Sequence, residues 1–375
     1  MIKRSAIIGN FFGDEAKARF VHFFAKDYKY IVRFSGSSNA GHTIYDNGKK
    51  IVRHLIPCAD FSQKHNHAFL ASNMVINPEE LLKEVLETEE MFPGSAKRII
   101  VDPDVFLITQ SHLEEDKQNV IKFGSTGKGV GVAYRDKIYR HGTKLTSLLN
   151  DNNEIINKLK SLGVQFKYAM ELSAEFESSS ILFEGAQSVL LDINHGTYPY
   201  VTSGECAIGG ICNAGFASYL PTKIYGVMKA YSTRVGSGPF PTEIHGEEAE
   251  VLRKLGKEYG ATTGRPRRVG WLDLPSLRYV INKGNITDLL ISKFDVLNGY
   301  EKIKICTSYK DIDNVVSADQ LFKAVPEYTI LDGWDDIKSN PLEKSFEFIK
   351  LVSDFTKTKV SHISMGTSEE DLFKF

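Results

Sequence analysis

The chain has 375 residues, with 46 Lys plus Arg against 47 Asp plus Glu and 42% hydrophobic content. That composition suits a large globular core and excludes disordered and fibrous chains. A formal net charge of -1 leaves no global basic excess for nucleic-acid phosphates or anionic lipid, so anions must be met by local groups and the expected partner is a small molecule.

The first apolar run, Ala6-Ile7-Ile8, gives way to charges too soon for a signal peptide or a membrane span, so a cytoplasmic protein is expected. It reads instead as a buried strand. Gly9-Asn10-Phe11-Phe12-Gly13-Asp14-Glu15-Ala16-Lys17 follows and leads into a helical pattern over 20–24. A glycine turn feeding a helix N-terminus gathers amide donors that suit phosphate, although no glycine precedes Lys17 and no Ser or Thr follows it, as a regular Walker loop requires. A strand over 30–34 comes next, then Asn39-Ala40-Gly41-His42-Thr43, which offers an amide, close backbone approach, a titratable proton and a hydroxyl.

Asn77-Pro78-Glu79-Glu80 supplies an N-cap, a proline at the first helical position and a capping-box glutamate, with Leu81, Leu82, Val85 and Leu86 as the apolar face. Further apolar runs at 99–101, 181–183, 224–228, 289–292 and 303–306 read as buried strands of a largely parallel sheet. The polar stretches 124–142 and 233–268 are rich in Gly, Thr, Arg and Lys and are expected to be functional loops. Within the second, Thr262-Thr263-Gly264-Arg265-Pro266-Arg267-Arg268 makes a guanidinium fork for carboxylate or phosphate.

Lys293-Phe294-Asp295 closes the run 289–292, at the strand end where open α/β sheets bind ligands. The lysine stem can cover a purine face, and the carboxylate can accept from N1–H and the 2-amino group of guanine. Asn340-Pro341-Leu342-Glu343 repeats the helix-start grammar, with Leu342, Phe346, Ile349 and Val352 as its stripe. Cys58, Cys206, Cys212 and Cys306 are too scattered for a disulfide framework and are expected to be reduced packing residues. No repeat or linker marks a boundary, so a single elaborated α/β domain over 1–375 is expected, with a large, mostly parallel central sheet flanked by helices.

The motifs together resemble the adenylosuccinate synthetases. The likeness runs through GDEAK at 13–17, NAGHT at 39–43, STGKGVGVAYRDK at 125–137, EGAQSVLLDINHGTYPYVTS at 184–203, KAYSTRVGSGPFPTE at 229–243, TTGRPRRVGWLDL at 262–274 and SKFDVLNG at 292–299. The resemblance implies a P-loop-NTPase-like fold and a two-step condensation of IMP with L-aspartate. GTP and Mg2+ drive it, and it gives adenylosuccinate, GDP and phosphate by way of 6-phosphoryl-IMP.

Matched residue by residue, Asp14 resembles the general base and His42 the general acid, with Lys17 and Gln187 completing the catalytic set. Asp14 and the carbonyl of Gly41 are similar to the Mg2+ contacts. Gly13, Glu15, Lys17, Gly41, His42, Thr43, Arg267, Lys293, Asp295, Ser364 and Gly366 fall at GTP-binding positions. Asp14, Asn39, Thr126, Arg140, Gln187, Thr202 and Arg265 fall at IMP positions, and Arg140 resembles an arginine contributed by a neighbouring subunit, which implies a homodimer. Thr262, Thr263, Gly264, Arg265 and Arg267 resemble the aspartate loop.

The chain departs from the family's loop at Ala16 and Ala18, where glycine is usual, and at Arg19, where lysine is. A Cβ there is expected to crowd the phosphates or to exclude a positive φ. The span from Arg140 to Gln187 is also shorter than in the family's longer members. A phage-type branch makes 2-aminoadenylosuccinate from dGMP, usually with glycine-serine in the first loop and no TTGRPRR-like segment; this chain keeps Asp14 and that segment, which favours IMP. A non-catalytic guanine-nucleotide-binding module would keep Lys293 and Asp295 but would not need Arg265 and Arg267.

Overall fold

The computed structural model describes residues 2–46, 48–123, 126–259, 264, 266–366 and 368–375. Its contacts form two compact units, Met1–Ile7, Lys17–Ala186 and Thr202–Thr222 in the first and Ile8–Ala16, Gln187–Val201 and Lys223–Phe375 in the second.

In the first unit, Ile181–Ser188, Tyr30–Arg33, His67–Leu70, Ile99–Val101 and Gln165–Phe166 pair in that order, all parallel. Tyr30–Arg33 is buried along its whole length, which is why it reads as a continuous run rather than an alternating one. The helix Lys17–Ala25 buries Phe20 and Val21 and packs against the strand His42–Asp46, which pairs antiparallel with Lys49–Arg53.

Helix Pro78–Met91 starts as expected, with the Asn77 side chain accepting from the Glu79 and Glu80 amides at 2.9 and 3.2 Å. The rest of the cap differs, because Glu80 pairs with Lys128 instead of closing the box. The inward face is Leu81, Glu84, Val85 and Thr88, whereas Leu86 is exposed. The cause is Glu84, whose carboxylate accepts the amides of His54, Leu55 and Ile56 at 3.1, 2.8 and 3.3 Å and turns the helix toward them.

The stretch 124–142 is not all loop, since Val130–Tyr139 is a helix. Val130, Ala133 and Tyr134 pack with Val75 and Ile108, an apolar face that glycines and basic residues disguise in the sequence.

In the second unit, Lys223–Lys229, Asp288–Ser292 and Lys359–Ser364 pair in parallel, and Leu372–Lys374 adds an antiparallel strand. The run 303–306 belongs elsewhere, because Lys302–Tyr309 sits in a separate sheet between Leu272–Asp273 and the antiparallel strand Pro326–Asp332. It buries Ile303 and Ile305 but exposes Lys302, as a strand covered on one face does.

Helix Leu274–Gly284, capped by Asp273, packs on that strand and on helix Pro341–Thr356. The latter buries Phe348, Ile349 and Val352 and exposes Phe346, while Asn340 pairs with Glu343 and caps nothing. Gly246–Gly256 is a helix within the expected loop 233–268.

The class is α/β with mostly parallel strands. Cys58, Cys206 and Cys306 are buried, but Cys212 is exposed, since its turn buries Ala214 and Phe216 in its place. Among the described residues no helix is long and apolar enough to cross a membrane.

Candidate active site

Among the described residues, each unit carries a cluster of buried charge that includes residues of the expected motifs. In the first, His42 opens its strand with the ring buried and Nδ1 bonded to Glu184. Glu184 and Arg33 are partners in the register of two parallel strands, and both are fully buried. Arg33 Nη1 donates to Glu184 Oε1 at 2.6 Å, and the Cys58 amide donates to Oε2 at 2.7 Å. Burial pulls the Glu184 carboxyl upward, but the His42 and Arg33 charges and the Cys58 amide outweigh it and hold the group at about 2. Burial first, then Arg33, pushes the His42 imidazole below its usual value, against the pull of Glu184.

His42 Nε2 lies 3.0 Å from the Ala186 carbonyl oxygen. His42, Cys58 and Glu184 could reach one ion by distance, yet both Glu184 oxygens already accept from Arg33, His42 and the Cys58 amide. That arrangement suits the holding of a proton.

The other expected residues of the first unit differ in exposure. Lys17 is buried at the start of its helix, and Asn39 and Thr43 are half-buried. Gly41 is exposed beside Ala40, whose carbonyl accepts from His54 Nδ1 at 2.7 Å. Thr126 is exposed and Thr202 half-buried. Arg140 ends the helix Val130–Tyr139 at φ 66 and is exposed, next to Ile138 and Tyr139, themselves 77% and 67% exposed.

In the second unit the glycine loop is braced from inside. Glu15 is 2% exposed, and its carboxylate accepts the amides of Phe11 and Gly13 at 3.1 and 2.9 Å and the Ser188 hydroxyl at 2.6 Å. Some of the amides expected to serve phosphate are thus used within the loop. The brace leaves Asp14 pointing outward, exposed, at φ 57.

Ala16 adopts φ 68 despite its Cβ, contrary to the expectation that the methyl would exclude a positive φ, whereas Ala18 is an ordinary helical residue. The left-handed region costs a non-glycine residue about 1–2 kcal/mol, and a glycine returns about 0.4–1 kcal/mol of that as unfolded-chain entropy. Ala16→Gly should therefore raise stability by roughly 0.5–1 kcal/mol in urea titration; a loss of stability would contradict a strained loop.

Asp14 pairs with Arg267 Nε at 2.9 Å, off the N–H direction, so charge rather than a directed hydrogen bond holds the pair. Arg267 Nη1 also donates to Glu258 Oε2 at 2.7 Å. Glu258, fully buried, takes Lys229 at 2.8 Å and Lys293 at 2.9 Å on its other oxygen, together with the Tyr231 hydroxyl at 2.5 Å. Burial would raise Glu258, but Lys229, Lys293 and Arg267 overcome it and depress the carboxyl far below its usual range. Burial lowers Lys229 to about 8, opposed by Glu258 and assisted by Lys293 and Arg267. Three cations thus face two carboxylates, and the surplus positive charge suits an anionic ligand.

Asp295 lies two residues beyond Lys293, half-buried, and burial raises its carboxyl. Ser364 is buried at the end of Lys359–Ser364, with its hydroxyl 3.4 Å from the Gly366 carbonyl. Gln187 is half-buried, and Gly264 is exposed at φ 64. Thr262, Thr263 and Arg265 lie outside the described residues. Sequence reasoning did not single out Arg33, Glu184, Lys229 or Glu258, although Glu184 opens the EGAQ segment and Glu258 stands just before the TTGRPRR segment.

A protein-family model described as adenylosuccinate synthetase matches residues 6–178 and 153–373. The chain belongs to the adenylosuccinate synthetase family. It is 41% identical to the adenylosuccinate synthetase of Petrotoga mobilis, over 99% of this chain and 97% of that one. Identity to the Thermotoga maritima adenylosuccinate synthetase is 38%, over 98% of each. The fully ligated adenylosuccinate synthetase of Plasmodium falciparum superposes with a TM-score of 0.88 at 28% identity, covering 99% of both chains.

The succinoaminodeoxyadenylate synthetase of cyanophage S-2L, solved with dGMP and dATP, superposes with a TM-score of 0.75 at 18% identity, covering 100% of this chain and 95% of that one. That likeness concerns the fold alone. As an adenylosuccinate synthetase, the chain is a GTP-dependent carbon–nitrogen ligase of purine biosynthesis, condensing IMP with L-aspartate to give adenylosuccinate, GDP and phosphate.

Proposed function

We propose that Asp14 is the general base of this reaction and His42 its general acid, in a cytoplasmic enzyme that acts as one synthetase domain and prefers IMP to dGMP. The observation that carries the reading is Asp14 itself, an exposed carboxylate on an internally braced glycine loop, facing an arginine of a cationic cluster. Asp14 takes the N1 proton of IMP, which makes O6 a nucleophile toward the γ-phosphate of GTP. His42 and Lys17 stabilise charge on the phosphates as the bond to the leaving β-phosphate breaks. The amine of aspartate then displaces phosphate from C6.

Gln187, Asn39, Thr126, Thr202, Arg265 and Arg140 hold IMP; Thr262, Thr263, Gly264, Arg265 and Arg267 hold aspartate. Glu15, Gly41 and Thr43 serve the GTP phosphates, as does Gly13 by close approach of its backbone, its amide being held by Glu15 and Ser188. Arg267 lies close to GTP, while Lys293, Asp295, Ser364 and Gly366 receive guanine. Asp14 and the Gly41 carbonyl offer the hard oxygens that Mg2+ prefers, and Asp14 is accessible to an ion once Arg267 releases it. Mg2+ bound there would neutralise phosphate charge.

The test is an ultraviolet assay of the purified chain with IMP, GTP, aspartate and Mg2+, each omitted in turn, and with dGMP in place of IMP. Product should vanish on every omission and be scarce with dGMP, because a 2-amino group without an acceptor costs roughly 1–3 kcal/mol. A larger specificity constant for dGMP would overturn the choice of purine.

The exposed Ile138, Tyr139 and Arg140 favour a homodimer in which Arg140 reaches the partner's IMP. Arg140→Leu and Asp14→Asn subunits should each be nearly inactive, and a mixture that exchanges subunits should recover activity in hybrid dimers, one of whose sites has both groups. Verified hybrids with no recovery would refute action across the interface.

A further inference from the structure

We infer that Glu184 is the positioning residue of His42: it fixes the ring so that the Nδ1 proton is committed to the carboxylate and Nε2 alone is presented to the phosphates of GTP. The inference deepens the reading of His42 as the acid and rests on it. An ionised carboxylate can only accept, and Glu184 Oε1 stands against both Arg33 Nη1 and His42 Nδ1. Arg33 Nη1 is also 3.0 Å from Nδ1, which offers an alternative in which the guanidinium donates to a bare Nδ1. That alternative would set a nitrogen lone pair directly against a carboxylate oxygen, two acceptors with no donor between them.

The proton therefore belongs on Nδ1. A second brace keeps the carboxylate from turning away, since Cys58 donates its amide to Oε2 at 2.7 Å. The three partners come from three segments: Arg33 from the adjoining parallel strand, His42 from the start of the hairpin, and Cys58 from the chain beyond it.

The consequence lies at the other nitrogen. Nε2 faces the Ala186 carbonyl at 3.0 Å, an oxygen that can only accept, so the second proton that the ring must carry to act as an acid has a partner there until a phosphate oxygen of GTP takes the place of that carbonyl. A ring free to flip would offer either nitrogen to the nucleotide. Glu184 removes that freedom, as the partner of the second ring nitrogen does wherever a histidine must act through one nitrogen only.

The first measurement needs no variant. The full chain labelled with 15N-histidine, with His42 assigned by loss of its signals in His42→Asn, should show a proton on Nδ1 in long-range 1H–15N spectra. A bare Nδ1 would overturn the inference.

The second is Glu184→Gln, whose amide can no longer compel a proton onto Nδ1. The kcat should fall by ~100-fold, the scale of a mispresented general acid, while KM for GTP shifts less than ~3-fold. A folded variant with kcat within ~3-fold of the parent would also overturn it. Should Glu184→Gln not fold, because Arg33 is left buried without its partner, the spectrum of the unmodified chain still decides. That spectrum reads the ring and not turnover, so its failure is distinct from failure of the omission assay.

Discussion

Asp14→Asn should lower turnover by at least ~100-fold without unfolding the chain. Asparagine is nearly isosteric and tolerates the left-handed backbone found at φ 57, so the loop keeps its course. The internal brace is untouched, because Glu15 and not Asp14 holds the Phe11 and Gly13 amides. What disappears is the charge and the ability to take a proton.

Arg267 loses one of its two carboxylates but keeps Glu258 at 2.7 Å, which limits collateral damage to the segment proposed to hold aspartate. KM for aspartate should accordingly change far less than kcat. Steady-state kinetics on a variant shown to be folded would check both, and near-normal turnover would remove Asp14 from the role of base.

What could be seen in the sequence was local. Asn77 before Pro78 places a cap with no help from tertiary structure, and the strands Tyr30–Arg33 and Asp288–Ser292, buried along their whole length, show as short unbroken apolar runs next to polar ends. His67–Leu70 escaped notice because four residues opening on a histidine carry no period. The run 303–306 reads as a strand of the parallel sheet because one buried face over a short window looks like two.

The inward turn of Pro78–Met91 could not be read either, since it depends on Glu84 finding three amides some thirty residues away in the chain. The same reason separates the visible part of the candidate site from the hidden part. Asp14, His42 and Lys293 lie in motifs whose neighbours announce them. Glu184 and Glu258 are acidic residues that look solvated until folding surrounds each with its cations, and no local pattern reports that a carboxylate will be buried.

Asp295→Asn should exchange the nucleotide preference, weakening GTP relative to xanthosine triphosphate by roughly 100-fold, because a site built to accept two donors rejects a base that presents an acceptor. The carboxylate can accept from N1–H and the 2-amino group of guanine, whereas the asparagine amide can donate to O2 of xanthine. The position supports the assignment, since Asp295 stands just beyond the end of a parallel strand, and Lys293 beside it has its amine held by Glu258 and the Gly256 carbonyl, which leaves the stem to lie along a base.

Burial raises the Asp295 carboxyl, assisted by Asp371 and opposed by Lys338 and Lys293. Once protonated, it cannot accept from both guanine donors, so affinity for GDP should weaken as pH falls through this raised value, at a higher pH than an ordinary aspartate would impose. The Asn variant has no such proton and should lose that part of the pH dependence. Calorimetric titration of GDP and xanthosine diphosphate into both proteins across pH would measure preference and slope together, and an unchanged preference for guanine in Asp295→Asn would place the recognition of the base elsewhere.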